Sequence, residues 1–367
     1  MDKLQSWLTL HLTEGLGTAS CRKLVTHFGG PDEVLLAEEG ELRQVKGIGE
    51  KTVAALRRRP GTESVQQELE KAWENGVSLI TWDSDAYPQL LREIHNPPIV
   101  LYVKGRPEIL SHPGIALVGS RAATSYGKKT AENLASNLAG YEITVISGMA
   151  LGIDAAAHRG ALSAGGTTVA VLGCGPNIIY PPQNRSLYEE IVERGAVVSE
   201  YPLDTQPENF RFPARNRIIS GLSLGVVVVE AAQRSGSLIT AEMALEQGRE
   251  VFAVPGRIDS LKSAGCHRLL QEGAKLVRSV EDILSELPGQ LPPARKAGDG
   301  GREEKARPPL NGDEKLIFSS LDVYPKNIED IITTTGLPAH AVAGGLLHLE
   351  LHGLIEVLPG RQYLNKN

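Results

Sequence analysis

The sequence predicts an α/β protein. Its centre is a Rossmann-like parallel sheet core, with a helix-hairpin-helix (SAM-like) helical domain before it and a winged-helix domain after it. Three observations carry the prediction. Between residues 76 and 278, short β-branched segments alternate with helical ones of about ten to fifteen residues, the pattern of right-handed βαβ units. Within them, Val226 to Val229 is a β-branched run without alternation, as expected of a strand buried on both faces of a parallel sheet. At either end the period changes to purely helical, and the last segment closes on a hairpin.

The composition permits this and narrows the function. At 367 residues the chain is long enough for two or three domains of roughly 150 residues each. With 41% hydrophobic and 22% charged residues, it matches an ordinary globular protein. The net charge of −6 gives no global field to recruit DNA, so a nucleic-acid site has to be a local patch. Cys21, Cys174 and Cys266 are isolated, which suggests neither a disulfide framework nor a zinc site. No signal-peptide pattern opens the chain. No apolar run reaches ~18 residues. The expectation is a cytoplasmic protein without a membrane partner.

Residues 1–75 read as helical. Two segments have the form apolar, Gly-x-Gly, helix: Leu12-Thr-Glu-Gly-Leu-Gly17 before 20–28, and Val45-Lys-Gly-Ile-Gly49 before 51–59. Each glycine pair permits a tight hairpin whose N–H groups open at a helix N-terminus, a ready phosphate site. The second copy is the better match, with Lys51, Arg57 and Arg58 beside it. A purely structural helical module fits the same pattern, and both readings stay open.

Residues 76–287 form the sheet domain. Strands are expected at 77–82, 99–103, 115–118, 143–146, 168–172, 197–199, 224–230 and 251–254. Helices are expected over 125–139, 152–163, 184–194, 214–221 and 237–247, and a last helix–strand pair covers 264–278. Residues 288–312 are Pro, Gly and charge, a flexible linker. Its Arg302, Lys305 and Arg307 are interleaved with Glu303 and Glu304, so it reads as a solvated tether rather than a DNA arm. Residues 313–367 form the last domain. Helices at 313–321, 327–335 and 339–351, then a hairpin turning at Pro359-Gly360, follow the winged-helix plan. The presumed recognition helix carries no Lys or Arg, which favours protein contact or weak DNA contact.

The site residues cluster where parallel strands end, which is where ligands bind in such sheets. Gly119-Ser120-Arg121 follows the strand at 115–118. Ser147-Gly148-Met-Ala-Leu-Gly-Ile-Asp154 follows 143–146, and Gly173-Cys-Gly-Pro-Asn-Ile-Ile-Tyr-Pro-Pro182 follows 168–172. Glu230-Ala-Ala-Gln-Arg-Ser235-Gly236-Ser237-Leu-Ile-Thr240 follows the apolar strand. Gly- and Ser-rich loops at helix starts make an anion-binding rim, and Arg121 adds a fork-shaped cation. Asn209-Phe210-Arg211-Phe212-Pro-Ala-Arg215-Asn216-Arg217 leads into that strand. Its arginines suit phosphates, and Phe210 and Phe212 suit stacking on bases.

Other chemistries fit less well. Gly119-Ser-Arg is not GxGxxG, and no acidic residue closes the strand at 143–146, which argues against dinucleotide chemistry. Asp154 and His158 lie four apart on a helix, but spacing places no nucleophile beside them, so a surface ion pair or buried polar contact is expected. His348 and His352 are also four apart, with Glu350 midway. This is not HExxH, and exposed helix positions are expected. Nothing calls for a cofactor, a metal or a catalytic residue.

Taken in order, these motifs resemble the DNA-processing protein A (DprA/Smf) family of bacteria. Gly119-Ser-Arg121, Ser147 to Asp154 with His158, Gly173-Cys-Gly175 with Tyr180-Pro181, and Ser199-Glu-Tyr-Pro202 carry the likeness. So do Phe212 to Ile219, Glu230-Ala231, Ser235 to Ala241 and Pro255-Gly256. The resemblance covers roughly residues 80 to 280. It implies a protein without established enzymatic activity that binds and protects incoming single-stranded DNA during natural transformation. It further implies help in loading the RecA recombinase, and a homodimer. By resemblance, Arg121 and the arginines of 212–219 line the DNA groove. His267 departs from the pattern, standing where the family commonly has asparagine.

Two further expectations follow. A nucleotide phosphoribohydrolase on a related scaffold is the competing reading, motivated by Ser235 to Thr240, although Pro-Gly-Gly-x-Gly-Thr is absent. Leu269, Leu270, Leu276, Val280 and Ile283 lie close in sequence at the sheet's edge, and a patch left over there is typical of a two-fold contact.

Overall fold

A computed structural model describes residues 2–287, 289, 310–322, 325–358 and 360–365. Six helices come first: α1 (Lys3–Leu12), α2 (Thr18–Phe28), α3 (Pro31–Leu36), α4 (Glu39–Gln44), α5 (Glu50–Arg57) and α6 (Thr62–Glu74). Then follow β1 (Val77–Thr81), α7 (Gln89–Arg92), β2 (Val100–Gly105), β3 (Gly114–Gly119), α8 (Ser125–Gly140), β4 (Thr144–Ser147) and α9 (Ile153–Ser163). The chain continues through β5 (Thr168–Val171), α10 (Arg185–Arg194), β6 (Ala196–Ser199), α11 (Arg211–Gly221), β7 (Gly225–Glu230) and α12 (Gly236–Glu246). β8 (Glu250–Ala253), α13 (Ala264–Gln271), β9 (Lys275–Leu276) and α14 (Val280–Leu284) complete the first of two compact units.

Its sheet has the order β1-β2-β6-β5-β4-β3-β7-β8-β9. From β6 to β9 every pairing is parallel. β7 explains its own sequence. Val226 and Val228 pack toward α11, α12 and α13, while Val227 and Val229 pack toward α8, α9 and α14. A strand with helices on both faces has no polar side, so alternation disappears.

One expectation is corrected. β2 pairs antiparallel with both β1 and β6, so the sheet is mixed at that edge. The helical segment accounts for it. Val100 and Tyr102 on one face of β2 join a core with Trp7, Leu8, Leu24 and Val34 of α1 to α3. Leu101 and Val103 on the other face join the core beneath α11 and α12. Apolar content on both faces reads the same in a parallel interior strand and in an antiparallel strand with a helical cover, so strand direction is not written in the pattern.

At the edge near β9 the five apolar residues divide between core and surface. Leu269, Val280 and Ile283 are buried in the core, and Leu270 packs partly against it. Leu276 remains outside, 46% exposed on the edge strand.

The second unit holds α15 (Gly312–Ser320), β10 (Lys326–Asn327), α16 (Ile328–Thr335), α17 (Ala339–Leu351), β11 (Ile355–Leu358) and β12 (Gln362–Asn365). Ile317, Ile331, Val342, Leu346 and Leu349 form its core. Gly345 of α17 faces α15, where a Cβ would meet Cδ1 of Ile317. β12 pairs with β11 as the wing and also with β10, a strand the sequence did not reveal. Most of the expected linker, and Pro359 of the expected turn, lie outside the described residues. Among the described residues no helix is long and apolar enough to cross a membrane.

Candidate nucleic-acid interface

The chain runs outward from β3 through β4 and β5 to β6, then crosses to β7 on the other side of β3. β3 and β7 therefore flank the topological switch point, where a crevice opens at the strands' carboxyl ends. The register between them shifts at Val118/Gly119. The Ser120 N–H there donates to the Glu230 carbonyl at 2.7 Å. Gly119 is needed in this turn, since a Cβ would lie 2.6 Å from Ile153 Cγ1. Above the crevice lies a cleft of about 450 Å³, lined among others by Ser120, Arg121, Phe212, Asn216, Arg234 and Ser237.

The far wall is the start of α12. Ser235 is its N-cap, and its Oγ accepts from the Ser237 N–H at 3.4 Å. Gly236 has open space where a side chain would be. An eleven-residue helix thus points its N-terminal N–H groups and dipole at the cleft, an arrangement suited to an anion. Asn216 ties this wall to α11 by donating to the Gly236 carbonyl at 3.4 Å.

The near wall is aromatic. α11 starts at Arg211 rather than at the expected 214, which places Phe212 in its first turn instead of a loop. Phe212 stacks on Tyr180 with centroids 5.5 Å apart and planes inclined by 25°. The Arg121 guanidinium lies over the Phe212 ring, 5.4 Å from its centroid. A second pocket of about 100 Å³ lies on the Tyr180 side, lined by Arg121, Gly148, Leu172, Tyr180 and Phe212 among others. Phe210 is 66% exposed.

Beneath the aromatics, Arg215 and Ser147 are bonded into the fold. Arg215 is 4% exposed. Its Nη1 donates to the carbonyls of Gly148 (2.8 Å) and Val171, and its Nε to Asn216 Oδ1 at 3.2 Å. Burial brings its pKa down to about 10, against the pull of Asp154. Burial likewise pushes the Asp154 carboxyl up, and the Arg215 charge opposes that shift. Gly148 makes room for both: a Cβ would stand 2.7 Å from Arg215 Nη2 and from Asp154 Oδ2. Ser147 is fully buried and donates to the Leu117 carbonyl at 2.6 Å, tying β4 to β3. Arg215 and Ser147 thus brace the loops through backbone carbonyls, and Arg215 also lines both pockets.

Arg217 is also engaged. Its Nη1 and Nη2 fork onto Glu200 at 2.6 and 2.5 Å, and its Nε donates to the Asn96 carbonyl at 2.9 Å. The two side chains are 13% and 11% exposed. Arg211 pairs with Glu208 at 3.3 Å, donates to the Gln206 carbonyl and lies over the Tyr201 ring. Of the four arginines expected to bind phosphate, only Arg121 stands exposed in the cleft. Each of the others has a protein partner that spacing could not reveal. Arg234 was not among the expected site residues, yet it is exposed and lines the cleft. Its place in the 230–240 loop was the available signal. Tyr180, in the 173–182 loop, was missed as a stacking partner.

Asp154 and His158 do not form an acid–base pair. His158 is fully buried, with Nδ1 2.7 Å from Thr168 Oγ1. The Thr168 hydroxyl donates its proton to the Val145 carbonyl, so Nδ1 of His158 is the donor and its Nε2 is left without a partner. His267 lies 3.0 Å by Nε2 from the Gly256 carbonyl. The first glycine hairpin faces the body of the protein: Thr18 hydrogen-bonds Asn96, and Arg22 donates to the Ile94 carbonyl. The second hairpin keeps Gly47 and Gly49 exposed. Among the described residues no group of three or more His, Cys, Asp or Glu side chains is placed to hold a metal ion.

Comparison with known proteins points one way. Residues 78–288 match the family described as DNA recombination-mediator protein A, and 302–361 match the DprA winged helix domain. Protein Smf of Synechocystis is 35% identical, the alignment spanning 97% of each chain. DNA processing protein DprA of Streptococcus pneumoniae is 50% identical over 60% of this chain and 77% of its own. The X-ray structure of DprA from the same species superposes with a TM-score of 0.69 at 40% identity, covering 76% of this chain and 95% of that one. A Helicobacter pylori DNA processing protein A structure, described for its unique single-stranded DNA binding mode, gives a TM-score of 0.53 at 30% identity. It covers 59% of this chain and 98% of that one.

Proposed function

The chain belongs to the DNA recombination-mediator protein A (DprA/Smf) family, and from that premise we propose that it binds single-stranded DNA across the cleft between β3 and β7. It protects incoming strands there and helps load the RecA recombinase onto them during natural transformation. The observation that carries the reading is the pairing of two surfaces in one crevice. One offers Arg121, Arg234 and the α12 N-terminus to phosphates. The other offers the Phe212–Tyr180 stack, with Phe210 exposed nearby, to unpaired bases. Base faces are free only in single strands, and stacking is tolerant of sequence. The description of the H. pylori relative supports the same ligand.

The test is a titration with single- and double-stranded oligonucleotides at two salt concentrations. Tighter single-strand binding with little sequence preference is expected. Equal affinity for both forms under matched salt refutes the groove. Acceleration of RecA filament assembly on single strands tests the loading step. The competing enzyme reading uses the same α12 N-terminus as a phosphate cradle, and a nucleoside-monophosphate hydrolysis assay separates it.

A homodimer fits this function, since two rims joined raise the effective concentration of sites for a long strand. Exposed Leu276 on the edge strand β9 and half-buried Leu270 on α13 are the apolar side chains that favour it. Light scattering should give a dimer for wild type and a folded monomer for Leu276→Arg. A monomeric wild type removes the proposal. Ile283 lies in the core and cannot serve as a probe.

A further inference from the structure

The winged-helix unit carries an arrangement that is not part of the cleft described above. His348 and His352, one turn apart on α17, meet at the surface with their Nε2 atoms 3.1 Å apart. The rings stand edge to face, with centroids 4.3 Å apart and planes at 81°. His348 is held from behind. Its Nδ1 lies 2.8 Å from Oε1 of Glu314, a carboxylate that is itself buried. The other oxygen of Glu314 accepts the Asn311 N–H at 2.8 Å, so the cap of α15 fixes the carboxylate from the side away from His348. The Nδ1–H of neutral His348 therefore points at Glu314, and the Nε2 lone pair is left facing His352.

We propose that His348 and His352 form a two-point clamp for a divalent transition-metal ion of the imidazole-preferring class. Glu314 acts as the positioning residue. Three features support this. Both nitrogens lie at the solvent boundary, so an ion has access. With metal–nitrogen bonds of about 2.0–2.1 Å, a 3.1 Å bite subtends about 100° at the metal, between the tetragonal and tetrahedral angles. A carboxylate accepting the second ring N–H is the usual partner of a ligating histidine, because it fixes the tautomer and raises basicity. Zinc, copper(II) and nickel(II) suit imidazole, whereas magnesium and calcium prefer oxygen. The clamp supplies two ligands and leaves the remaining positions to water or to a donor from another molecule.

The experiment is calorimetric titration of the untagged full-length chain with zinc chloride and, separately, nickel chloride. It is repeated on His348→Gln, His352→Gln, the double variant and Glu314→Gln. Circular dichroism confirms that each is folded. Wild type should take up one equivalent per chain, and each single histidine variant should lose it. Glu314→Gln should keep the stoichiometry and weaken affinity by about 10-fold or more, the usual cost of removing such a partner. Two results overturn the proposal: a wild type that binds no ion, or a double variant that binds as wild type does, which would place the ion on another histidine.

Discussion

Replacing Arg217 with alanine separates two roles that look alike in the sequence. Spacing places this arginine with Arg211 and Arg215 as a phosphate ligand, whereas the structure seats it in a two-pronged ion pair with Glu200 and a bond to the Asn96 carbonyl. Burial works against its charge, but the hydrogen bond and charge of Glu200 outweigh it and hold the guanidinium above its usual pKa. Arg217→Ala leaves Glu200, itself 11% exposed, as an unpaired carboxylate. Breaking one side of such a buried pair costs about 3–5 kcal/mol. For a domain of this size that lowers the melting temperature by roughly 10 °C. Replacing both partners with apolar side chains, as in Arg217→Met/Glu200→Leu, should recover most of the loss, since a well-packed apolar pair is often no worse. The assay is thermal unfolding of wild type and the two variants, followed by single-strand binding across a salt series. The double variant should keep the wild-type salt slope, because no phosphate was lost. An Arg217→Ala protein that melts with wild type while its salt slope flattens by one phosphate's worth would refute the reasoning and return this arginine to the groove.

Three other outcomes are expected. Arg121→Ala should leave the melting temperature unchanged and flatten the single-strand salt slope by about 0.7; an unchanged slope removes Arg121 from the phosphate contacts. Phe212→Ala should weaken single-strand binding by about 1–3 kcal/mol and double-strand binding far less, and equal losses on both would deny it a stacking role. His158 predicts a pH dependence. Burial lowers its pKa to about 3 in the fold, whereas an unfolded histidine takes up its proton near pH 6.5. Between these values the unfolded state binds the extra proton. Stability is therefore full above about pH 6.5 and falls as pH drops toward 3, with a limiting slope of about 1.4 kcal/mol per unit. Denaturant titrations at pH 7 and pH 5 should show a smaller difference for His158→Leu than for wild type; equal differences would mean that His158 is not the linked group.

Much of the fold was legible because its signals are local. The Val226–Val229 run gave a doubly covered strand, and strand ends followed by Gly and Ser gave the rim around Ser120 and Ser235. What was not legible depends on partners far along the chain. Arg217 meets Glu200, seventeen residues away, and Arg215 meets the carbonyl of Gly148, sixty-seven away. Composition names these arginines as cations without saying whether the protein has already used the charge. The same limit explains Ile283, an apolar residue near an edge that packs inward, and β2, whose two apolar faces conceal its direction.

The core shared by α1 to α3 and β2 has a consequence for cooperativity. Tyr102 and Val100 are fully buried beneath Trp7 and Leu24, and on their other side β2 pairs with β6 of the parallel sheet. The first hairpin reaches the same region through Thr18 and Asn96, whose carbonyl also receives Arg217 of α11. Local opening of the front helices would strip β2 of its cover and loosen the brace on the helix that carries Phe212. Their backbone amides should accordingly exchange with solvent as one unit with those of β2, at a free energy close to that of global unfolding. The aromatic wall of the cleft thus draws its rigidity from a segment that lies outside the cleft.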